Sequence, residues 1–125
     1  MKATALVAVL ALSAGVVHAD EIPTDLQVEL QSAMLSYTDS ILDDGAYSYI
    51  DTEEDALRTV YPAQVHPFVV PFGDDYFLCS EMVTDEGAPV TADFLIRRIG
   101  GAYRVVQLIL DDRPAVQAAM AKLGN

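Results

Sequence analysis

The sequence predicts an α+β domain in which a long N-terminal helix packs on a curved antiparallel sheet of four to five strands, with a C-terminal helix after the sheet. Apolar residues recur at helical spacing on one face between Leu26 and Ile41. Further along, β-branched and aromatic residues dominate four stretches that are separated by short turns of glycine and acidic residues. Short turns connect antiparallel neighbours, so these strands should form a meander.

The first helix is expected to begin at Thr24, because Thr24 and Gln27 have the spacing of a capping box. It should end at residues 43–45, where two acids sit at the unfavourable end of the helix dipole and a glycine supplies the turn. Residues 47–50 are a candidate short strand.

Two further helices are predicted from capping patterns. Acidic and cap-forming residues at 51–55 indicate a short second helix that reaches Tyr61 and is ended by Pro62. Asp112 and Pro114 have the pattern of a helix start, so a last helix should follow the sheet.

The four main strands are predicted over residues 65–72, 76–83, 90–99 and 103–110. Pro67 and Pro71 are four residues apart in the first of them, so both lack an N–H group on the same edge. An edge without donors is tolerated only where no strand pairs with it. The strand over residues 65–72 is therefore expected to be the outer one.

This order of elements is similar to that of the NTF2-like and cystatin-like architectures, in which a long N-terminal helix lies across an antiparallel sheet. The similarity spans most of the chain after its first residues and implies a fold only, with no site residues. We expect the helices to lie on one face of the sheet.

The N-terminus has the three-part layout of a secretory signal peptide. Lys2 is followed by an apolar run to Val17 and by small residues that end at Ala19. The run is shorter than the roughly 20 apolar residues of a membrane-spanning helix. We expect cleavage after Ala19, release into a periplasm or the medium, and a single domain over residues 20–125. The alternative is that the segment stays uncleaved as an N-terminal anchor.

The chain is strongly acidic, with 19 acids, seven cations and a net charge of −12, and removal of the signal peptide with its one cation makes this −13. Such a charge opposes binding to nucleic acid or to an anionic membrane. It favours a basic partner or cations, although an acidic surface also serves simply to keep a secreted protein soluble.

Cys79 is the only cysteine, so the domain has no internal disulfide and must be held by its core. We expect Cys79 to be a small buried apolar residue, because a neighbouring Asp93 would suppress the thiolate. The alternative is an intermolecular disulfide, since an unpaired cysteine outside the cytoplasm meets oxidants.

Counting outward from the turns predicts the strand register. It places His66 opposite Glu81, Cys79 opposite Phe68 and Asp93, and Arg97 opposite Arg104, with further pairs Glu81–Thr91 and Asp93–Leu108. One side of the sheet, which we name the mixed face, would then combine ionisable and apolar groups: His66, Phe68, Val70, Phe77, Cys79, Glu81, Thr91, Asp93, Leu95, Arg97, Arg104, Val106, Leu108 and Leu110. The other side, which includes Gln107 and Ile109, would form the core with the first helix.

Ionisable and apolar groups that converge on one surface are typical of a small-ligand or partner site. Our leading hypothesis is a non-catalytic module that binds a partner or small ligand through the mixed face (Phe68, Cys79, Thr91, Leu95, Arg97, Arg104 and Val106), with a homodimer as one form.

An enzyme is the second hypothesis, in which His66, Glu81 and Asp93 transfer protons in a small cavity. The simpler interpretation of His66 and Glu81 is a surface ion pair. The third hypothesis is an inhibitor of a basic enzyme, attracted by the net charge.

No cofactor or metal is expected. His66 is the only histidine after processing, and Gly100-Gly101 lies between two strands rather than before a helix, so neither a histidine-rich metal site nor a phosphate loop is indicated. The acidic clusters should be solvated turns and caps, with calcium binding as the alternative.

Overall fold

The computed structural model describes residues 22–124. These form seven elements in chain order: α1 (Thr24–Ile41), β1 (Tyr47–Asp51), β2 (Ala56–Phe72), β3 (Asp75–Thr84), β4 (Pro89–Ile99), β5 (Ala102–Leu110) and α2 (Arg113–Leu123). The predicted signal peptide and its cleavage point after Ala19 lie outside the described residues. Within residues 22–124, no helix combines the length and apolarity that a membrane span requires.

The five strands form one antiparallel sheet in the order β1-β2-β3-β4-β5. With α1 before the sheet and α2 after it, this confirms the predicted α+β class, the meander and the C-terminal helix. α1 has 18 residues, and α2 begins at its predicted cap, where the Asp112 carboxylate accepts the N–H of Ala115.

The capping box at Thr24 was wrong. Pro23 occupies the cap position, and no side chain caps the helix. Gln27 does reach back, but its Nε2 donates to the Ile22 carbonyl at 2.8 Å. The predicted helix end is confirmed, since α1 stops at Ile41 and Gly45 adopts a φ of 80° in the turn to β1.

The short second helix was also wrong, because the same residues make the turn of a β1–β2 hairpin. The Asp51 carboxylate accepts the N–H groups of Glu53 and Glu54, which folds the acidic stretch into a turn instead of a helix start. Asp55 then takes a φ of 53° and the chain reverses. Arg58, on the returning strand, donates to Asp51 at 3.0 Å.

β2 is consequently 17 residues long and passes through Pro62, Pro67 and Pro71. β1 pairs only with residues 56–60, so residues 61–72 have no strand on their outer side. This confirms the edge position that the prolines predicted. Two register shifts against β3 absorb irregularity in the same stretch, and such bulges bend a sheet.

The main core lies between α1 and one side of the sheet. Leu30 and Met34 of α1 are at most 1% exposed, and the Tyr37 ring meets Phe94 edge to face at 6.2 Å. The sheet contributes the remaining buried residues of this core: Val60, Leu78, Met82, Val90, Ala92, Phe94 and Ile96.

α2 lies on the opposite side of the sheet from α1, so the expectation that both helices share one face was wrong. Phe94 points to α1, and the neighbouring Asp93 therefore points the other way, where Arg113 of α2 binds it at 2.8 Å. Val116 is 2% exposed, and Leu123 reaches the β2–β3 turn at Gly73. The sheet is thus covered on both sides at its centre.

Candidate functional site

The predicted register holds at the centre of the mixed face. Glu81 pairs with Thr91, and Cys79 pairs with Asp93, as counted from the β3–β4 turn. Arg97 pairs with Arg104. Short turns therefore set the register of the inner strands correctly.

The predicted pair of His66 and Glu81 was wrong. β2 carries two extra residues between Val65 and Val69, which moves Glu81 opposite Gln64. His66 instead places Nδ1 3.4 Å from the Sγ atom of Cys79. The bulge therefore removes the direct cross-strand pairing of His66 with Glu81, two of the three residues named in the proton-transfer hypothesis.

β5 carries one extra residue, Val106, which has no partner in β4 and is 40% exposed. Asp93 consequently faces Ile109 and not the predicted Leu108. The shift turns Leu108 and Leu110 toward the α1 side, where they pack on the core. It also brings Gln107 opposite Leu95, so Gln107 and Ile109 leave the face to which they were assigned.

α2 covers the centre of the mixed face. Asp93 is 3% exposed, and its partner Arg113 lies over it; the hydrogen bond to Asp93 raises the pKa of Arg113. Phe77, in the same layer, is 4% exposed. Of the residues predicted to meet a ligand, Cys79, Thr91 and Leu95 are therefore only partly accessible.

The outer arginines of the mixed face remain accessible. Arg97 binds the Asp75 carboxylate through Nε and Nη2, and its side chain is 55% exposed. Arg104, directly opposite, is also exposed. Two like charges side by side are unfavourable, and the bidentate contact with Asp75 offsets this for one of them.

Burial raises the pKa of the Cys79 thiol; Arg113 opposes this shift and Asp93 adds to it. The thiolate is the reactive form, so alkylation of the native protein by iodoacetamide at pH 8 should be at least about tenfold slower than alkylation of the unfolded chain. The rate should rise with pH as the thiol ionises. Mass spectrometry of timed samples, with and without urea, measures both rates. A native rate that equals the unfolded rate would contradict the prediction of an unreactive thiol. It would favour the alternative, in which Cys79 forms an intermolecular disulfide.

The unpartnered half of β2 carries Phe68, which has the highest fractional exposure among the large apolar side chains of the described residues. We name it the β2 patch; its four members are Tyr61 (38% exposed), Val65 (46%), Phe68 (70%) and Val70 (39%). Phe68 is the one predicted ligand-face residue that is both apolar and mostly exposed. Val65 pairs with Ser80 and Val70 pairs with Phe77, three residues apart on β3, so these two members lie on opposite faces of the sheet. The β2 patch is therefore a strip along the free edge of the sheet, and Phe68 is its most exposed member.

A second site was not predicted. A cavity of about 600 Å³ opens where the β1–β2 hairpin approaches the end of β5. We name it the tyrosine cavity; its lining includes Tyr47, Tyr49, Asp51, Glu53, Leu108, Leu110, Asp111 and Asp112. The two tyrosine rings stack, with centroids 5.7 Å apart.

The tyrosine cavity exists because the sheet curls. β2 and β5 are three strand positions apart in the sheet, which would separate them by about 14 Å if the sheet were flat. Arg58 at the start of β2 nevertheless reaches both Asp51 (3.0 Å) and Asp111 beyond β5 (3.6 Å). Burial raises the pKa of Tyr49, and the Arg58 guanidinium beside it opposes this shift.

One signal for the cavity is present in the sequence. Tyr47 and Tyr49 alternate on a strand and so share a face, and Asp111 and Asp112 precede a helix. Their meeting depends on the curl of the sheet and on the β1–β2 hairpin, which the sequence analysis had interpreted as a helix.

Within residues 22–124, no group of three or more histidine, cysteine, aspartate or glutamate side chains is arranged to hold a metal ion. The chain matches no family model, no curated protein sequence and no solved structure in the comparisons with known proteins.

Proposed function

We propose that this chain is an exported, non-catalytic binding domain that holds a basic partner protein against the β2 patch. The observation that carries the proposal is the 70% exposure of Phe68 in the middle of a strand that has no neighbour on its outer side. A large aromatic side chain with apolar neighbours is the usual anchor of a protein interface.

The prolines of β2 indicate how the partner is held. Counting from the β2–β3 turn, the hydrogen-bonding groups of residues 69 and 71 point to the free edge, and residue 71 is a proline without an N–H group. Pro67, in the bulge between Val65 and Val69, is a second position without a donor. A partner strand could not complete a hydrogen-bonded ladder here. The contact is therefore made by side chains, and Phe68 and Val70 carry it.

The net charge selects the partner. Two copies of a chain that each carry −13 repel one another, so a homodimer is the less favoured occupant, whereas a basic protein is attracted over distances of about a Debye length. The inhibitor of a basic enzyme is one form of this proposal. The same charge opposes binding to nucleic acids and to anionic membranes.

A photo-crosslinking phenylalanine analogue at position 68 should yield one defined product in cells that make the protein natively. The same analogue at Val28, which is 61% exposed on α1, is the matched control and should yield none. The product should weaken at high salt, because screening reduces charge attraction. Equal products at both positions, or none at position 68, would overturn the proposal, and a product of twice the chain mass would replace it with a homodimer.

The identified partner then allows a quantitative test. Phe68→Ser should reduce affinity at least about tenfold, while the free energy of unfolding falls by no more than about 1 kcal/mol, because the side chain is largely exposed. Calorimetry and urea titration measure the two quantities. A large loss of stability would mean that Phe68 has a structural role instead.

The enzyme hypothesis has less geometric support. His66 and Glu81 are separated by the β2 bulge, and the Asp93 carboxylate is engaged by Arg113 under α2. A general base needs a free site within hydrogen-bond reach of its substrate. The remaining close pair, His66 and Cys79, contains a thiol whose pKa burial raises.

We also propose an NTF2-like or cystatin-like assignment for the fold. Its support is the helix before the antiparallel meander and the curl that brings β1 toward β5. The location in a periplasm or outside the cell is supported by the signal-peptide pattern ending at Ala19. N-terminal sequencing of protein purified after export tests the cleavage, for which Asp20 is the expected first residue.

A further inference from the structure

We propose that the tyrosine cavity binds a small aliphatic polyamine, a molecule with protonated amines joined by methylene segments. This site is separate from the β2 patch, and the proposal does not depend on the partner protein.

The size and the walls of the cavity fit such a ligand. A volume of about 600 Å³ is within the usual range of roughly 300–1,000 Å³ for small-molecule sites. Leu108 and Leu110 provide apolar contact for methylene groups, and the stacked rings of Tyr47 and Tyr49 add aromatic surface. Aromatic rings attract ammonium groups, and the attraction grows when water is excluded.

The charges select a cation with more than one amine. Four carboxylates line the cavity, and Arg58 binds two of them, Asp51 and Asp111. Glu53 and Asp112 make no ion pair within the described residues, although Asp112 caps α2. Four carboxylates and one guanidinium leave an excess of three negative charges around one opening.

Calorimetric titration of the purified protein with spermidine should show saturable binding, and succinate should show none. The variant Glu53→Gln/Asp112→Asn should weaken spermidine binding about tenfold, since it removes the two unpaired carboxylates. Asparagine still caps a helix, so α2 is retained. The matched control Glu29→Gln/Glu86→Gln removes two exposed carboxylates elsewhere and should change affinity by less than about twofold.

A second pair of variants tests the aromatic wall. Tyr47→Phe keeps the ring and should bind spermidine within about twofold of the original protein. Tyr47→Leu keeps apolar bulk without the ring and should lose about fivefold or more. Thermal unfolding of both variants shows whether a loss of spermidine binding comes from the lost contact or from a destabilised fold.

Three outcomes would overturn the proposal. These are no binding of spermidine, equal weakening by the two carboxylate double variants, and full competition by Mg²⁺ at equal charge concentration, which would indicate simple charge screening. Phe68→Ser should leave spermidine binding unchanged. A failed test of the polyamine site is therefore distinguishable from a failed test of partner binding at the β2 patch.

Discussion

Phe94→Ala should lower the free energy of unfolding by about 3–5 kcal/mol. Phe94 is 0% exposed and is the largest fully buried side chain of the described residues. Its ring packs against Tyr37 of α1, so the substitution opens a cavity where the helix meets the sheet. Stabilities of small domains are about 5–15 kcal/mol, so the loss removes a large part of the total. Urea denaturation followed by circular dichroism measures it.

The matched control is Phe68→Ala, the same change on β2 at a side chain that is 70% exposed. It should cost no more than about 1 kcal/mol, mostly from the lower strand preference of alanine. Similar losses for the two variants would contradict the placement of the main core between α1 and the sheet. The same outcome would also remove the argument that Phe68 is free to meet a partner.

The helix-forming and strand-forming stretches were predictable where a local pattern agreed with its surroundings. The 3.6-residue spacing of Leu30 and Met34 identifies the buried side of α1, and Pro67 and Pro71 identify a free strand edge. The prediction of a helix over residues 51–61 was wrong because cap-forming residues are common both at helix starts and in turns. The Asp51 carboxylate accepts a hydrogen bond within the turn. Residues 56–60 form a strand and not a helix because they pair with β1.

The site was less predictable than the fold, since strand register depends on bulges. Turn counting gave the correct partner for Cys79 in β4 but the wrong partner for His66, because β2 has two additional residues. A single extra residue, Val106, also moved Leu108 to the core side. The tyrosine cavity depends on the curl of the whole sheet, which no local pattern of residues specifies.

Arg113→Met should destabilise the protein by about 2–3 kcal/mol. The Asp93 side chain is 4% exposed, and the variant leaves its carboxylate buried without a cation. Breaking a fully buried pair costs about 3–5 kcal/mol. The expected loss is smaller here because the Arg113 side chain is 37% exposed and water can partly replace it. Urea denaturation measures the change.

A surface pair provides the control for this prediction. Arg97→Met removes the partner of Asp75, and the Arg97 side chain is 55% exposed. Exposed ion pairs contribute about 0–1 kcal/mol even with good geometry, so this variant should remain close to the original stability. Equal losses for Arg97→Met and Arg113→Met would mean that burial of Asp93 does not distinguish the two pairs.

The double variant Asp93→Leu/Arg113→Met decides what the pair is for. Replacement of a buried ion pair by apolar groups is often neutral or stabilising, so the double variant should recover most of the stability that Arg113→Met loses. If it does, the pair acts mainly to hold α2 in one position over Cys79 and Phe77, since only one arrangement satisfies the buried carboxylate. Mobility of α2 in the double variant, measured by hydrogen exchange of its backbone amides, should then increase although stability is regained. If stability is not regained, the ion pair itself stabilises the fold, and Asp93 cannot be exchanged for an apolar residue.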